Sequence, residues 1–283
     1  MNLQHLLERD SFIERSARSR ARALLDAGSM RELLDPFCGV ASPWLPKQGV
    51  TAQADDGVIV AKGLLDGQST LVLAIEGAYQ GGSMGEVGGA KIAGALELAA
   101  VDNRAGIPTR AVILFETGGV RLQEANLGLA AIADIQAAIV DLRRYQPVIG
   151  ISAGTVGCYG GMSIAAGLCS YLMVTREARL GLNGPAVIEQ EAGIEEFDSR
   201  NKPFIWSLSG GEQRHASGLA DAFVEDDTAL IRATTVQLFA RGVPAQHRSE
   251  QADFYLARLA SVDTAGQATP AAVRHQYAQG ETP

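Results

Sequence analysis

The sequence predicts an α/β protein built around a largely parallel sheet, and three observations support this prediction. A unit of strand, glycine-rich turn and helix recurs three times between residues 69 and 171. Such alternation is typical of parallel sheets, because a helix must return the chain to the edge where the next strand starts. The strands in these units are apolar on both faces, as expected of strands covered by helices. The chain has 283 residues, 47% of them hydrophobic, which is enough to build a large core.

The N-terminal segment, about residues 2–34, is predicted to be helical and polar. Its basic cluster consists of Arg15, Arg18, Arg20 and Arg22. Prolines then mark an irregular connection at Pro36, Pro43 and Pro46.

A β-hairpin is predicted next, because VIVAKGLL and STLVLAIEG are separated by the turn Asp66-Gly67. The three repeated units follow. The first consists of the strand STLVLAIEGA, the loop YQGGSMGEVGG and the helix AKIAGALELAAVDN. The second consists of RAVILFE, TGG and RLQEANLGLAAIADIQAAIVDLRRY, and the third of PVIGISAG, TVGCYGG and MSIAAGLCSY.

After these units we predict the strand YLMVTREARLGL, a short last strand in LADAFVE and a helix over residues 228–241. Residues 1–242 are therefore expected to form a single domain. Residues 243–283 are expected to form a C-terminal extension, with a helix around DFYLARLASV and a mobile tail of about 15 residues, since chain ends are usually poorly ordered.

The glycine turns are the candidate functional sites. A single GG is more often just a tight turn. Three in consecutive units would each present free N–H groups at a helix N-terminus, where an anion is favoured. Neither the phosphate loop GxxxxGK[ST] nor a clean dinucleotide fingerprint is present. The turns are thus predicted to stabilise a developing oxyanion rather than to bind a nucleotide.

Composition excludes several other classes of protein. The net charge of −8 disfavours nucleic-acid binding, and no apolar run is long enough for a membrane span. The three cysteines have neither metal-ligand spacing nor a disulfide framework, and the N-terminus lacks a signal-peptide core. We expect a cytoplasmic protein with no metal site and with neither nucleic acid nor membrane as partner.

Three other features have simpler interpretations. LSGGEQRHASG resembles the signature of ABC transporter ATPases, but without a phosphate loop we predict only a helix entered through Gly210-Gly211. Cys158 lies in an apolar setting, which argues against a nucleophile. Glu116 and Glu124 flank the TGG turn, either as acid/base groups or, at least as plausibly, in capping or surface roles.

Four motifs in order resemble the carboxyltransferase branch of the crotonase superfamily. They are GGSMGEVGGAKIAGALE, ETGGVRLQEA, GGMSIAAGLCSY and LGLNGPAVIEQ, where the family has GGSMG, SGGARMQEG, TTGGV and G-x-GP-x-VIEQ. ARALLDAGSMREL is similar to a further family segment near the N-terminus, so the resemblance covers about residues 19–226. It implies a crotonase-like (ClpP/crotonase) fold, as in the N-domains of acyl-CoA carboxyltransferases.

Within that branch the chain is most similar to the beta subunits of biotin-independent malonate decarboxylases. The resemblance implies a carboxy-lyase subunit that decarboxylates malonyl thioester and stabilises the enolate with backbone N–H groups. The alternative is a carboxyltransferase beta subunit of a biotin-dependent carboxylase or decarboxylase, and a non-catalytic crotonase-like scaffold is the third possibility. A four-cysteine zinc ribbon, frequent in acetyl-CoA carboxylase beta subunits, is missing here.

The resemblance also implies roles for residues and partners. The oxyanion donors are expected among Gly119, Val120, Gly160 and Gly161. The substrate-binding residues are expected to be Gly82, Ser83, Met84 and Gly85, with Arg20 and Arg22 on the phosphates of the carrier arm. That arm, of the CoA-like phosphopantetheine type, belongs to an acyl carrier protein subunit, and this chain binds no cofactor directly. The other implied partners are a homologous gamma-type crotonase-like subunit and an acyl-carrier-protein transferase subunit.

Overall fold

The computed structural model describes residues 9–51, 55–262 and 269–279, and a seven-stranded sheet lies at its centre. Strand order in the sheet follows the chain. The strands are β1 (Arg31–Leu34), β2 (Val58–Leu65), β3 (Gln68–Ile75), β4 (Arg110–Leu114), β5 (Val148–Ser152), β6 (Tyr171–Val174) and β7 (Ala222–Phe223). The first helices are α1 (Ala17–Leu24), α2 (Glu86–Arg104), α3 (Asn126–Leu142), α4 (Gly161–Leu168) and α5 (Pro185–Ala192). The remaining helices are α6 (Lys202–Ser209), α7 (Gly211–Ala216), α8 (Thr228–Ala240), α9 (Ala252–Ala260) and α10 (Pro270–Gln279).

The sheet is antiparallel at one edge and parallel elsewhere. β1, β2 and β3 pair antiparallel, and β3 to β7 pair parallel. The predicted hairpin is present, with Leu65 opposite Gln68. Asp66 and Gly67 both have positive φ, as a tight two-residue hairpin turn requires. The predicted α/β class with a largely parallel sheet is confirmed.

Helices cover both faces of the sheet. Leu71 and Leu73 of β3 join a core that includes Ile92 of α2 and Ile135 of α3. The alternate residues of the same strand belong to a second core on the other face, where α1 and α8 contribute Leu24 and Ile231. Because both faces are buried, the parallel strands have no polar face, which explains their unbroken apolar sequence.

The N-terminal prediction is only partly right. Within the described part of residues 2–34, the helix is limited to Ala17–Leu24, and Arg31–Leu34 forms β1. The helix ends where Leu25 adopts an extended conformation, and Asp26 then accepts the N–H groups of Asp66 and Gly67, which attaches the chain to the hairpin turn. The segment after it then pairs with β2. Residues 1–8 lie outside the described ranges.

Two other boundaries differ from the prediction. The second repeated helix starts at Asn126 rather than Arg121, because Ala125 has a φ of +47° and separates α3 from a short 3-10 turn at Leu122–Glu124. β6 ends at Val174, whereas the predicted strand continued to Leu182. The residues after Val174 leave the sheet and extend toward the glycine turns.

The C-terminal half agrees better with the prediction. Gly210 precedes α7, and Glu212 lies in its first turn, as predicted for LSGGEQRHASG. α8 and α9 are also close to their predicted positions. α10 lies within the segment predicted to be mobile, and that mobility stays a prediction, as do the domain limits. Among the residues described, no helix has the length and apolar character needed to cross a bilayer.

Candidate active site

The three glycine turns meet beyond the carboxyl ends of β3, β4 and β5. Short parallel bridges join them in series: Met84 pairs with Val120, Thr117 with Cys158, and Cys158 with Leu180. This ladder continues the sheet order past the ends of the strands. Parallel α/β sheets generally place ligand sites at this edge.

The first turn is hydrogen-bonded backbone to backbone with the second. Gly118 N–H donates to Gly81 O at 2.8 Å, Met84 N–H to Gly119 O at 2.7 Å, and Arg121 N–H to Met84 O at 2.8 Å. A Cβ at Gly82 would lie 1.9 Å from the Glu116 carbonyl oxygen, so only glycine allows this approach. Met84 is almost fully buried in the core. Of the predicted substrate-binding residues at 82–85, Ser83 is the partly exposed one.

In the second turn, the N–H of Gly119 is hydrogen-bonded, and the N–H of the following residue, Val120, is free. The hydroxyl of Thr117 accepts the N–H of Gly119 at 3.1 Å. The N–H of Val120 has no acceptor among the described residues. Of the two predicted donors in this turn, Val120 is therefore the available one. Sequence reasoning missed the part played by the Thr117 hydroxyl.

The third turn shows the same division between its two glycines. Gly160 N–H donates to Leu182 O at 2.8 Å. Gly161 is the first residue of α4, where an N–H has no partner inside the helix, and the described residues offer it no acceptor. Met162, the next residue, also has no acceptor among the described residues, so Gly161 is the free donor among the two glycines predicted for this turn.

The second and third turns lie against each other. A Cβ on Gly160 would be 3.5 Å from Gly119 Cα and 4.0 Å from Val120 N, so a side chain there would occupy the gap beside the free N–H. A Cβ on Gly161 would instead be 2.8 Å from Cγ2 of Ile132, in the core. Gly160 has a φ of +61°, which strains any residue with a side chain, and it faces the gap. Gly161 is glycine because of packing against α3.

A cleft of about 520 Å³ opens beside Val120. Its lining residues are Val50, Thr51, Gln80, Ser83, Val120, Arg121, Leu122, Gln123 and Glu124. Arg121 and Glu124 form a buried ion pair at 3.0 Å. Glu124 also accepts Glu86 N–H at 2.6 Å at the start of α2. Both charges are therefore committed, and Glu124 serves as a capping residue rather than an acid/base group.

Both carboxylate oxygens of Glu116 also accept hydrogen bonds within the chain. Its Oε2 accepts Arg20 Nη1 at 2.7 Å, and its Oε1 accepts Val156 N–H at 2.8 Å. The carboxylate is buried against two glycines: a Cβ would lie 2.4 Å from Glu116 Cγ at Gly77 and 1.7 Å from Oε2 at Gly154. Glu116 connects α1 to the third turn and has no free oxygen for proton transfer.

The predicted phosphate contact of Arg20 does not fit this arrangement. Its guanidinium is buried and also donates to the carbonyl oxygens of Phe12 and Ile13. Arg22 lies two residues further along α1 and is exposed. Residues two apart project from different sides of a helix, so the two arginines do not form one phosphate site.

Two other predictions concern cysteine and metal ligands. Complete burial raises the pKa of the Cys158 thiol well above its ordinary value, which agrees with the prediction that it is not a nucleophile. Within the described ranges, no group of three or more His, Cys, Asp or Glu side chains is arranged to hold a metal ion.

Residues 14–277 match the family described as the carboxyl transferase domain. The chain belongs to this carboxyl transferase family. The malonyl-S-ACP:biotin-protein carboxyltransferase MADC of Malonomonas rubra is 37% identical over 239 residues, which are 81% of this chain and 75% of that protein.

Solved structures of similar carboxyl transferase chains have the same fold. A chain of a Pseudomonas malonate decarboxylase hetero-tetramer, in complex with malonate, is 69% identical with a TM-score of 0.91, over 98% of this chain and 100% of that chain. A chain of the Pseudomonas malonate decarboxylase MdcD–MdcE hetero-dimer is 63% identical with a TM-score of 0.77, over 90% and 99%. Transcarboxylase 12S is 25% identical with a TM-score of 0.66, over 80% of this chain and 42% of that one. The predicted crotonase-like carboxyltransferase fold is confirmed.

Proposed function

We propose that this chain is a subunit of a malonate decarboxylase and that it removes CO2 from a malonyl thioester. The observation that carries this proposal is the 69% identity to a malonate decarboxylase chain over 98% of this sequence. The geometry supports it, because two adjacent turns each have a free backbone N–H, on Val120 and on Gly161.

The chemistry explains why a thioester and backbone donors belong together. Breaking the bond between the carboxylate carbon and the α-carbon releases CO2 and leaves an electron pair on the α-carbon. A free carboxylate accepts that pair poorly, but a thioester carbonyl accepts it and becomes an enolate. The α-carbon then takes a proton, and the product is an acetyl thioester.

The N–H groups of Val120 and Gly161 are proposed to hold the enolate oxygen. Each such donor contributes about 3–4 kcal/mol when it is fixed at the position of the developing charge. Gly119 and Gly160, the other two predicted donors, position the turns instead, because their own N–H groups are already bonded. The cleft beside Ser83 is proposed to hold the malonyl group.

We further propose that the malonyl group arrives on the phosphopantetheine-type arm of an acyl carrier protein subunit, loaded by an acyl-carrier-protein transferase subunit. This chain then needs no cofactor of its own. Its principal partner is proposed to be a homologous gamma-type crotonase-like subunit, in line with the hetero-dimeric and hetero-tetrameric relatives. We expect the assembly in the cytoplasm.

One observation favours a second candidate function. The Malonomonas rubra relative is a malonyl-S-ACP:biotin-protein carboxyltransferase. If this chain shares that reaction, CO2 is passed to biotin on a protein rather than released.

The test is decarboxylation by the assembled complex, with labelled malonyl thioester as substrate and CO2 release as the readout. Avidin is added in a parallel reaction. We expect CO2 release that avidin does not change. Inhibition by avidin, or transfer of the label to a biotin protein without CO2 release, would assign the chain to biotin-dependent transfer. The absence of both CO2 release and label transfer would reject both functions.

A further inference from the structure

A second cleft, of about 470 Å³, lies near the amino end of β6, whereas the candidate active site lies beyond the carboxyl ends of the strands. It opens beside Tyr171, the first residue of β6, whereas the glycine turns follow the carboxyl ends of β4 and β5. Residues of α7 and α9, together with Arg241 just after α8, line it. No step of the proposed decarboxylation uses this cleft.

The charges that line the cleft are unbalanced. Three guanidinium groups face it, from Arg241, Arg248 and Arg258, against the single carboxylate of Asp221. Asp221 is already paired with Arg248. The chain as a whole has a net charge of −8, so this is a local positive region in an acidic protein.

Two of these arginines have no carboxylate partner within the described residues. Arg258 donates to the carbonyl oxygens of Ser217 and Tyr277, which leaves its positive charge uncompensated. Arg241 is exposed, and its guanidinium lies 5.9 Å from the centre of the Tyr171 ring. A guanidinium has more donors than these contacts use, so both can still bind an oxyanion.

The positive potential also acts on a neighbouring titratable group. The pKa of the buried His247 is lowered, first by burial and then by the charge of Arg143; Glu250 opposes the shift, and Arg248 adds a smaller lowering. Arg248 is the cleft residue that contributes to this shift.

We propose that this cleft binds a small anion with a phosphate or carboxylate group, held between Arg241 and Arg258. The aromatic side chains of Tyr171, Phe254 and Tyr255 line the cleft and suit an organic anion. Because the cleft lies at the amino ends of the strands and the glycine turns lie at the carboxyl ends, this ligand is not the thioester substrate.

The test is isothermal titration of the assembled complex with inorganic phosphate and, separately, with citrate, at ionic strength matched with sodium chloride. We expect saturable binding of at least one anion. The tighter of the two identifies the ligand as phosphorylated or as a carboxylate. Arg241→Gln should weaken binding about tenfold or more, and Arg241→Lys should weaken it less, because it keeps the charge.

Arg31→Gln is the matched control, since it removes an exposed arginine on β1, five strands away from β6 in the sheet order, and should leave affinity unchanged. Thermal unfolding of each variant shows whether the chain remains folded. No saturable binding, or equal weakening by Arg241→Gln and Arg31→Gln, would overturn the proposal. If the isolated chain binds the anion but the assembled complex does not, the cleft is a contact surface for a partner subunit, and the proposal is also overturned.

Discussion

Val120 and Gly160 approach each other closely enough for one methyl group to test the proposed donor. In Gly160→Ala the new Cβ lies 4.0 Å from Val120 N and 3.5 Å from Gly119 Cα, in the gap beside the free N–H. We expect kcat for malonyl thioester to fall on the order of 10²-fold, the loss typical of one oxyanion donor. Gly161→Val is a poorer test, because its side chain collides with Ile132 in the core.

The matched control for Gly160→Ala is Gly67→Ala. Gly67 also has a positive φ, +72°, but a Cβ there meets nothing within 4 Å. Both variants force alanine into a strained backbone conformation, so both lose stability. Only Gly160→Ala should lose activity per folded molecule, and equal specific activities would exclude this gap as the oxyanion site.

His247 provides a pH test at the same scale. Its pKa is lowered in the folded protein, first by burial, so the unfolded chain binds more protons below about pH 6.5. The contribution of neutral His247 to folding stability is therefore complete above that pH, and it is lost as the pH falls toward the pKa of His247 in the folded protein. We expect the free energy of unfolding to fall less steeply between pH 7 and 5 in His247→Gln than in the natural chain, as measured by urea denaturation. Equal slopes would show that His247 does not contribute.

At the scale of elements, α1 is attached to the active-site end of the sheet through Arg20 and Glu116. Arg20→Met leaves a buried carboxylate without its cation, which costs about 3–5 kcal/mol of folding free energy. We expect the midpoint of urea denaturation to drop accordingly. The KM for the carrier-bound substrate should stay unchanged in protein that remains folded, because the guanidinium is bonded to Glu116 and to two backbone carbonyl oxygens.

Arg22→Met on the same helix is the control for Arg20→Met. It removes an exposed arginine and should leave stability nearly unchanged. A raised KM in Arg20→Met, with little loss of stability, would restore the phosphate contact that the sequence predicted for this residue.

The elements that the sequence predicted well are those with a strong local signal. The hairpin has its Asp66-Gly67 turn, and the repeated units have apolar strands followed by glycines. β1 was missed because it forms by pairing with β2, and the local sequence of Arg31–Leu34 does not indicate that pairing. The helix start at Asn126 was missed because it depends on the backbone of Ala125.

The candidate site shows the same limit. The double glycines in the sequence mark the two turns that are proposed to supply the donors. The sequence did not tell Val120 from Gly119, because the difference depends on a hydroxyl hydrogen bond from Thr117. The resemblance also implied that Arg20 contacts the phosphates of the carrier arm, because a basic cluster does not reveal which of its arginines faces the buried carboxylate of Glu116.

At the scale of the whole molecule, apolar side chains are exposed around the donor turns. Leu122 is 80% exposed and Leu182 is 61% exposed, and the described structure buries no residue of α5. Exposed apolar surface of this kind marks a protein–protein contact. Since two relatives are hetero-oligomers, we expect the proposed partner subunit to cover this rim.

Leu182→Glu should therefore weaken assembly, because it places a charge in the expected contact. The measurement is size-exclusion chromatography of the co-expressed subunits, with thermal unfolding of the isolated chain as a check on folding. Leu256→Glu is the control, since Leu256 is also 61% exposed but lies on α9 at the other side of the molecule. Equal loss of complex in both variants would contradict the assignment of the rim.

The packing of Glu116 against Gly77 and Gly154 also constrains how this sequence can diverge. The three residues come from three different repeated units, and the Glu116 side chain occupies the space that a Cβ at position 77 or 154 would need. Alanine at position 77 or 154 becomes acceptable only once the acid at 116 is replaced by something shorter, and Arg20 then loses its counter-ion. Among homologues, positions 20, 77, 116 and 154 should therefore change as a set, and a lineage that replaced one of them alone would be selected against before catalysis was affected.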